Sequence, residues 1–220
     1  RFSGLQEVLI FSFLVIMSKY FFLLKNSNNI WYVFFIILGC NLIIWFKSEG
    51  IAYTAILILL LNFSNQIPKK IKIYSNLSYI FIIILKIIIY KYFDFTSNAI
   101  LGSIWYLDYI LNVNFDVILS NLKFMLPFFF YYSLINVFFI SGLIILFASN
   151  FQKKIDNYTK IINYYFFFNI ILIFCIYLTG DLEIEYLVKN TMERIIFTIS
   201  GFYVFFIVNF VKNLNKNFVK

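Results

Sequence analysis

The feature that most constrains this sequence is a series of long, almost uninterrupted apolar runs. Seven can be marked, at roughly residues 6–24, 29–46, 50–66, 73–92, 127–148, 161–179 and 195–211. Most have the roughly 17–25 residues that an α-helix needs to cross the hydrocarbon of a bilayer. The third is the shortest, because its purely apolar part ends near Leu61. The runs predict an all-α, polytopic transmembrane helical bundle of about seven spans.

Composition leads to the same class of protein. Hydrophobic residues make up 63% of the 220 positions and charged residues only 13%, against roughly 25% charged in soluble domains. A soluble fold of this length could not bury so much apolar surface. The net charge is +8, but the lysines are dispersed between apolar runs and form no basic face, so no nucleic-acid partner is expected. We expect a single transmembrane domain over residues 1–220, with the lipid bilayer as its partner.

The charged residues are sorted between alternate loops. Seven spans place 11 of the 18 basic residues on one side: Lys19, Lys25, Lys69, Lys70, Lys72, Lys153, Lys154, Lys160, Lys212, Lys216 and Lys220. Of the ten acidic residues, only Asp156 falls with them. Because cytoplasmic loops are enriched in Lys and Arg, the pattern predicts a multi-pass plasma-membrane protein with a cytoplasmic C-terminus. A surplus of residues with AT-rich codons (Ile, Phe, Lys, Asn and Tyr) suggests a bacterial source and hence the inner membrane.

The segment "IWYLDYILNVNFDVILSNLKF", residues 104–124, lies between the fourth and fifth predicted spans. Asp108, Asn112, Asp116 and Ser120 recur every four residues and form one polar stripe on an otherwise apolar helix. This predicts an amphipathic helix in the outer membrane interface. The alternative is a lid over an outward-facing cavity.

A second polar interruption is "WFKSEGIAYT", residues 45–54, between the second and third runs. Lys47 and Glu49 lie two positions apart, so on a helix they could not face each other, and we expect each to have its own partner. Gly50 suits a tight turn because it lacks a Cβ. One interpretation is a solvated hairpin. The other is a polar cavity in which the lysine binds a phosphate and the carboxylate orients a hydroxyl or a metal ion.

The third polar region is "LTGDLEIEYLVKNTMERIIFTIS", residues 178–200. It contains four carboxylates and two cations: Asp181, Glu183, Glu185, Glu193, Lys189 and Arg194. Arg194 precedes the last apolar run, and its guanidinium has the planar geometry that suits phosphate oxygens. Glu7 stands at the same predicted face, at the mouth of the first span. Each of these residues could also be an ordinary interfacial charge.

The residue types also limit the chemistry. The sequence has no histidine, and Cys40 and Cys175 each lie within an apolar run, so neither a disulfide nor a zinc site is expected. Acid–base chemistry would use carboxylates, lysine or tyrosine. A cofactor is not required by any motif, and a bound metal would be an oxygen-preferring ion such as Mg²⁺ or Mn²⁺.

Three segments, taken in order, resemble the central and C-terminal part of GT-C superfamily glycosyltransferases. They are "FSGLQEVLIFSF", "WFKSEGIAYTAILILLL" and "LTGDLEIEYLVKNTMERIIFTIS". These are integral-membrane enzymes, similar to protein mannosyltransferases, that use polyprenyl-phosphate-linked sugars. The positions that fit the family's motifs are Ser3, Gly4, Glu7, Lys47, Glu49, Gly50, Thr179, Asp181, Leu182, Glu183, Thr191 and Arg194. Three places depart from the family: Gln6 and Glu7 stand where alanine and aspartate are usual, Ile184 and Glu185 replace tryptophan and histidine, and Glu193 replaces an aspartate.

The resemblance implies transfer of a sugar from polyprenyl phosphate to a glycan, lipid or protein acceptor at the outer face of the membrane. It implies that Lys47 and Arg194 bind the lipid phosphate, and that Asp181, Glu183 and Glu185 belong to an acceptor or loop region. Glu7 and Glu49 become possible contributors to catalysis. The family's catalytic aspartate belongs to an outer loop upstream, so we expect this chain to be a fragment that lacks N-terminal spans.

Three other interpretations stay open. A lipid-oligosaccharide transporter or flippase would show internal pseudo-symmetry and charges within its spans. Here the charges sit at span ends, apart from Lys86, which we expect to reach the interface by snorkelling. An O-antigen polymerase-like protein would depend on arginines, of which only Arg1 and Arg194 occur. A small structural membrane protein is the third.

Overall fold

Eight helices make up the part of the chain that the computed structural model describes, which is residues 3–26, 29–47, 49–93, 115–151, 156–178 and 184–218. They are α1 (Ser3–Asn26), α2 (Ile30–Phe46), α3 (Gly50–Phe63), α4 (Lys69–Tyr92), α5 (Phe115–Ile135), α6 (Val137–Asn150), α7 (Asn157–Leu178) and α8 (Ile184–Phe218). No strand occurs within these ranges. The prediction of an all-α bundle is confirmed.

Five of these helices, α1, α4, α5, α7 and α8, are long and apolar enough to cross a membrane. The other three, α2, α3 and α6, have 17, 14 and 14 residues. The described bundle therefore combines long helices with shorter apolar ones, where the sequence predicts about seven spans. Helix α3 is one of the two shortest, as its brief apolar run suggests.

The centre of the bundle is the packing of α1 along α8. The buried side chains of α1 recur every three or four residues: Glu7, Ile10, Leu14, Met17, Phe21 and Leu24. This spacing puts them on one helix face, which meets a buried face of α8 that includes Ile196, Ile199 and Phe202. The two backbones approach closely at Gly201, where a Cβ would lie only 2.5 Å from the carbonyl oxygen of Phe11. Glycine is needed there because no larger residue fits.

Two polar contacts distinguish the ends of the bundle. At one end, Ser18 and Tyr158 share a hydrogen bond of 2.7 Å between α1 and the start of α7. At the other end, Tyr177 and Thr191 share one of 2.7 Å between the end of α7 and the start of α8. We call the first end, where the lysine-bearing starts of α4 and α7 lie, the lysine end. The second, which carries Glu7, Glu49, Glu185 and Glu193, is the carboxylate end.

The predicted fifth span, residues 127–148, is wrong in its boundaries. Pro127 lies inside α5 and does not begin a helix, and the apolar run is interrupted at Asn136. The side chain of Asn136 accepts a hydrogen bond of 2.9 Å from the backbone N–H of Phe139, so it caps the N-terminus of α6. Hydrophobicity alone does not predict this cap, because the residues on both sides of Asn136 are apolar.

The predicted interfacial helix lies only partly within the described residues. Asp108 and Asn112 are outside them. Asp116 and Ser120 lie in the first part of α5, on exposed positions. The second half of the predicted segment is therefore continuous with a long helix that extends to Ile135.

Candidate functional site

Glu7 is the central residue of an ion cluster at the carboxylate end. It lies on the buried face of α1, one turn before Ile10, and only 4% of its surface is exposed. Its Oε1 accepts a hydrogen bond of 3.2 Å from Lys47 Nζ and a second from Arg194 Nη2. Its Oε2 is buried and has no hydrogen-bond partner among the described residues. A buried carboxylate oxygen without a donor is costly, so this atom marks a place where a donor is expected.

Lys47 and Glu49 occupy the short turn between α2 and α3. The backbone of Lys47 is extended, with φ −153° and ψ 151°, whereas Glu49 is in the right-handed helical region. Lys47 Nζ forms an ion pair with Glu49 as well as with Glu7. The prediction that Lys47 and Glu49 cannot pair is therefore wrong. It assumed helical backbone, and the extended residue at the end of α2 lets the two side chains meet.

Gly50 allows the turn to be this tight. A Cβ at Gly50 would lie 2.9 Å from the carbonyl carbon of Ile43, and closer still to its oxygen. The first residue of α3 thus packs directly against the last turn of α2. The reason for glycine is this close approach of two backbones, which only a residue without a side chain tolerates.

Arg194 reaches the cluster from α8, ten positions after the helix begins. Its side chain is 41% exposed and that of Lys47 is 23% exposed, against 5% for Glu7. Glu7, the hairpin of Lys47 and Glu49, and Arg194 are therefore in contact with one another through Glu7 and Lys47. Lys47 and Arg194 lie 40 and 187 positions after Glu7 in the sequence. Their assigned roles in binding and catalysis stay predictions.

Two cavities adjoin the cluster and share Glu7 and Arg194. The smaller, of about 40 Å³, is lined by Lys47, Glu49, Tyr53 and Thr191 in addition to the shared pair. It has room for a water or two. The larger, of about 490 Å³, is lined by the start of α1, the end of α5, Asn136 and the part of α8 around Arg194. Its size is typical of sites for small molecules.

The four side chains of the cluster together carry no net charge. Two cations, Lys47 and Arg194, face two carboxylates, Glu7 and Glu49. Glu49 is 47% exposed, so it can leave Lys47 for solvent at little cost, whereas the buried Glu7 cannot. The cluster can therefore exchange its exposed carboxylate for another anion while the buried one stays between the two cations.

Three predicted site residues remain. Asp181 and Glu183 lie outside the described residues. Glu185 is exposed on the first turn of α8 and forms an ion pair of 2.5 Å with Lys189, four residues later. Within the described ranges, no three Asp, Glu, Cys or His side chains come together as a metal site would require. A Mg²⁺ or Mn²⁺ ion thus has no evident set of ligands in that part of the chain.

Lys86, on α4, has a role that sequence reasoning missed. It is only 1% exposed, so the prediction that it snorkels to the interface is wrong. Its Nζ donates a hydrogen bond of 2.5 Å to the carbonyl oxygen of Ile44, one of the last four residues of α2, whose carbonyls have no partner within the helix. Lys86 thus caps the helix that precedes Lys47. The available signal in the sequence was a lysine within an apolar run, four residues after Ile82.

No protein-family model, curated protein or solved structure matches this chain.

Proposed function

We propose that this protein is a membrane glycosyltransferase that transfers a sugar from a polyprenyl-phosphate-linked donor to a glycan, lipid or protein acceptor. The carboxylate end faces the outer side of the bacterial plasma membrane, and the reaction serves assembly of the cell envelope. The observation that carries this proposal is the cluster itself. Three distant motifs, which resemble parts of the GT-C superfamily, bring Lys47 and Arg194 onto one carboxylate beside a cavity.

The donor's phosphate binds where Glu49 now meets Lys47. Arg194 uses one nitrogen for Glu7 and has further N–H groups to donate. A phosphodiester carries one negative charge, so exchanging it for the exposed carboxylate of Glu49 leaves the charge of the cluster unchanged. The small cavity has no room for a phosphate while Glu49 remains there. Movement of Glu49 to solvent is therefore part of binding.

The same two cations serve the chemical step. The acceptor hydroxyl loses its proton to a base, its oxygen attacks the anomeric carbon, and the bond from that carbon to the phosphate oxygen breaks. Negative charge then develops on the departing lipid phosphate. Lys47 and Arg194, held in place by Glu7 before the reaction, stabilise that charge without having to reorganise.

The test is binding of polyprenyl phosphate, compared with uncharged polyprenol, to the purified protein in lipid nanodiscs, measured by native mass spectrometry. We expect a clear preference for the phosphate. Lys47→Ala and Arg194→Ala should each weaken binding of polyprenyl phosphate at least about tenfold, as loss of a charge-assisted hydrogen bond predicts. Lys189→Ala is the matched control, since Lys189 is an exposed cation at the same end, and it should change binding less than about twofold.

Equal binding of the two lipids, or unchanged binding in both cation variants, would refute the proposal. Transfer is measured separately, as release of polyprenyl phosphate from radiolabelled polyprenyl-phosphate hexose in membranes that supply acceptors. A protein that moves the intact glycolipid between leaflets and releases no polyprenyl phosphate is a transporter and not a transferase.

A further inference from the structure

Helix α4 turns polar side chains towards the bundle and apolar ones away from it. Lys72, Asn76, Tyr79 and Lys86 lie four, three and seven positions apart, which puts them on one helix face. We call these four side chains the polar face of α4. Only three of the 24 residues of this helix are buried, and two of those, Ser75 and Lys86, are polar. Large apolar side chains occupy the exposed positions: Ile73, Leu77, Ile80, Phe81, Ile84, Leu85 and Ile88.

A helix of this kind gains little from hydrophobic burial inside a membrane. Its main neighbours among the described helices are α2 and α3. Because lipid chains are as apolar as the side chains of those helices, association in the membrane depends on close packing and on hydrogen bonds. Packing is limited here, since so few residues of α4 are buried. Hydrogen bonds have defined partners and directions, so the polar face determines where α4 lies relative to α2 and α3.

The two lysines of the polar face bind equivalent groups at opposite ends of the hairpin of α2 and α3. Lys72 Nζ donates a hydrogen bond of 2.7 Å to the carbonyl oxygen of Asn62, in the last turn of α3. Lys86 Nζ donates to that of Ile44, in the last turn of α2. A helix C-terminus carries partial negative charge, which a cation complements. Fourteen positions separate the two lysines, or about 21 Å along α4.

The turn that carries Lys47 lies between two contacts with the polar face. Three positions before it, the carbonyl oxygen of Ile44 accepts from Lys86. Four positions after it, the carbonyl oxygen of Ile51 accepts a hydrogen bond of 2.7 Å from the hydroxyl of Tyr79. The backbone of Lys47 is extended, so α2 does not continue through this residue and hold it. Both arms of the turn are attached to α4 instead.

We propose that Lys86 and Tyr79 are positioning residues for Lys47. By holding the turn, they set the distance of its ammonium group from Arg194 and so the geometry in which both cations meet a phosphate. The inference rests on the proposed function, which assigns that ligand to Lys47. Neither Lys86 nor Tyr79 lines either cavity, so their effect on phosphate binding acts through the turn. Lys72 makes the same kind of contact at the other end of the hairpin and is the matched control.

The first measurement is the rate at which Lys47 reacts with a water-soluble amine reagent, followed by peptide mass spectrometry on the protein in nanodiscs. Lys86→Met should raise this rate at least about threefold, because the freed turn lets the ammonium group leave Glu7 more often. Lys72→Met removes an equivalent contact at the lysine end and should change the rate less than about 1.5-fold. The exposed Lys189 is the internal reference and should react equally in all variants.

The second measurement is binding of polyprenyl phosphate to the same variants, by native mass spectrometry. Lys86→Met should weaken binding at least about fivefold, since it displaces a cation that contacts the phosphate. Tyr79→Phe removes only a hydroxyl and should weaken binding about twofold or more. Lys72→Met should weaken it less than about twofold. Thermal unfolding in detergent confirms that each variant is folded at the temperature of the assays.

Equal reaction rates of Lys47 in the Lys86→Met and Lys72→Met variants would overturn the inference. So would equal losses of binding in these two variants, because they would indicate a general loss of stability. Faster labelling without weaker binding would overturn it as well, since the position of the turn would then not matter to the phosphate. If Lys86→Met does not fold, Tyr79→Phe decides the question, and an unchanged rate for Lys47 in that variant overturns the inference.

Failure of the proposed function gives a different result. A wild-type protein that binds polyprenyl phosphate no more tightly than uncharged polyprenol refutes the proposed ligand of Lys47. The labelling rates do not depend on any ligand, so they alone then decide whether α4 positions Lys47.

Discussion

One oxygen atom, Oε1 of Glu7, accepts from both cations of the cluster. Glu7 is almost fully buried, whereas Lys47 and Arg194 each keep part of their surface exposed. A carboxylate so far from water depends on cationic partners more than partly exposed cations depend on it. The ion pairs therefore serve chiefly to hold the charge of Glu7 at the junction of α1, the α2–α3 turn and α8.

Glu7→Gln should lower the free energy of unfolding by roughly 1–3 kcal/mol. This is less than the ~3–5 kcal/mol expected when one partner of a fully buried ion pair is removed, because water reaches both cations. The measurement is equilibrium unfolding in detergent. Glu185→Gln is the matched control, because Glu185 pairs with Lys189 on an exposed helix face, and it should cost at most about 0.5 kcal/mol. Equal costs for the two substitutions would contradict a special role for Glu7.

The sequence singles out the residues of this cluster but not their pairing. Glu7, Lys47 and Arg194 stand out because charges beside apolar runs are rare. That Glu7 is buried follows in retrospect from its spacing to Ile10 and Leu14, which puts it on the apolar face of α1. Which cation meets it depends on how α2 and α8 pack beside α1, and the pairing of Lys47 with Glu49 depends on one extended residue. Neither is encoded in local spacing.

At the scale of helices, the turn that carries Lys47 is held by side chains from α4. Lys86 donates to the carbonyl of Ile44, and the hydroxyl of Tyr79 donates to the carbonyl of Ile51 at 2.7 Å. One contact secures the end of α2 and the other the start of α3. The position of the cluster therefore depends on a helix that contributes nothing to the cluster itself.

Lys86→Met should destabilise the protein by about 1–2 kcal/mol, since it leaves a buried carbonyl without its donor. Lys91→Met is the control, because Lys91 lies on an exposed position of the same helix, and its effect should be close to zero. Unfolding in detergent measures both. A lysine that merely snorkelled would behave like Lys91 when replaced by methionine, so equal effects would exclude the capping role.

The bounds of the helices are predicted well where they depend on hydrophobicity. They are predicted wrongly where a single polar side chain determines where a helix begins or ends. The start of α4 and the end of α7 follow from the apolar runs to within a few residues. The break between α5 and α6 depends on the side chain of Asn136, which caps a helix inside a run that is apolar on both sides. The hydrophobicity pattern also does not predict that α5 continues through Pro127. A proline is tolerated inside an apolar helix that neighbouring helices support.

For the whole molecule, the division of charge between the two ends is the property from which an orientation in the membrane can be predicted. The lysines in the first turns of α4 and α7 lie at one end, and Glu7, Glu49, Glu185 and Glu193 lie at the other. For these described residues, the two ends agree with the sorting of charges along the sequence. By the enrichment of cytoplasmic loops in lysine, we predict that the lysine end is cytoplasmic.

Labelling of single cysteines with a membrane-impermeant maleimide tests this orientation. In a background in which Cys40 and Cys175 are replaced by alanine, Tyr186→Cys should label in intact cells, because Tyr186 is exposed at the carboxylate end. Asn157→Cys, at the exposed start of α7, should label only after the membrane is permeabilised. Labelling of both from the same side would contradict the model of the two ends.

The length of α8 has a consequence for the depth of the site. At about 1.5 Å per residue, its 35 residues extend over roughly 50 Å, well beyond the ~30 Å of bilayer hydrocarbon. Arg194 and Lys212 on α8 lie eighteen positions apart, as do Glu7 and Lys25 on α1, and eighteen positions correspond to about 27 Å. Both separations are close to the thickness of the hydrocarbon, which predicts that the cluster lies near its edge, beside the headgroups of one leaflet. The proposed prenyl-phosphate donor would carry its head close to this depth, so we expect it to reach the cations by lateral diffusion within that leaflet.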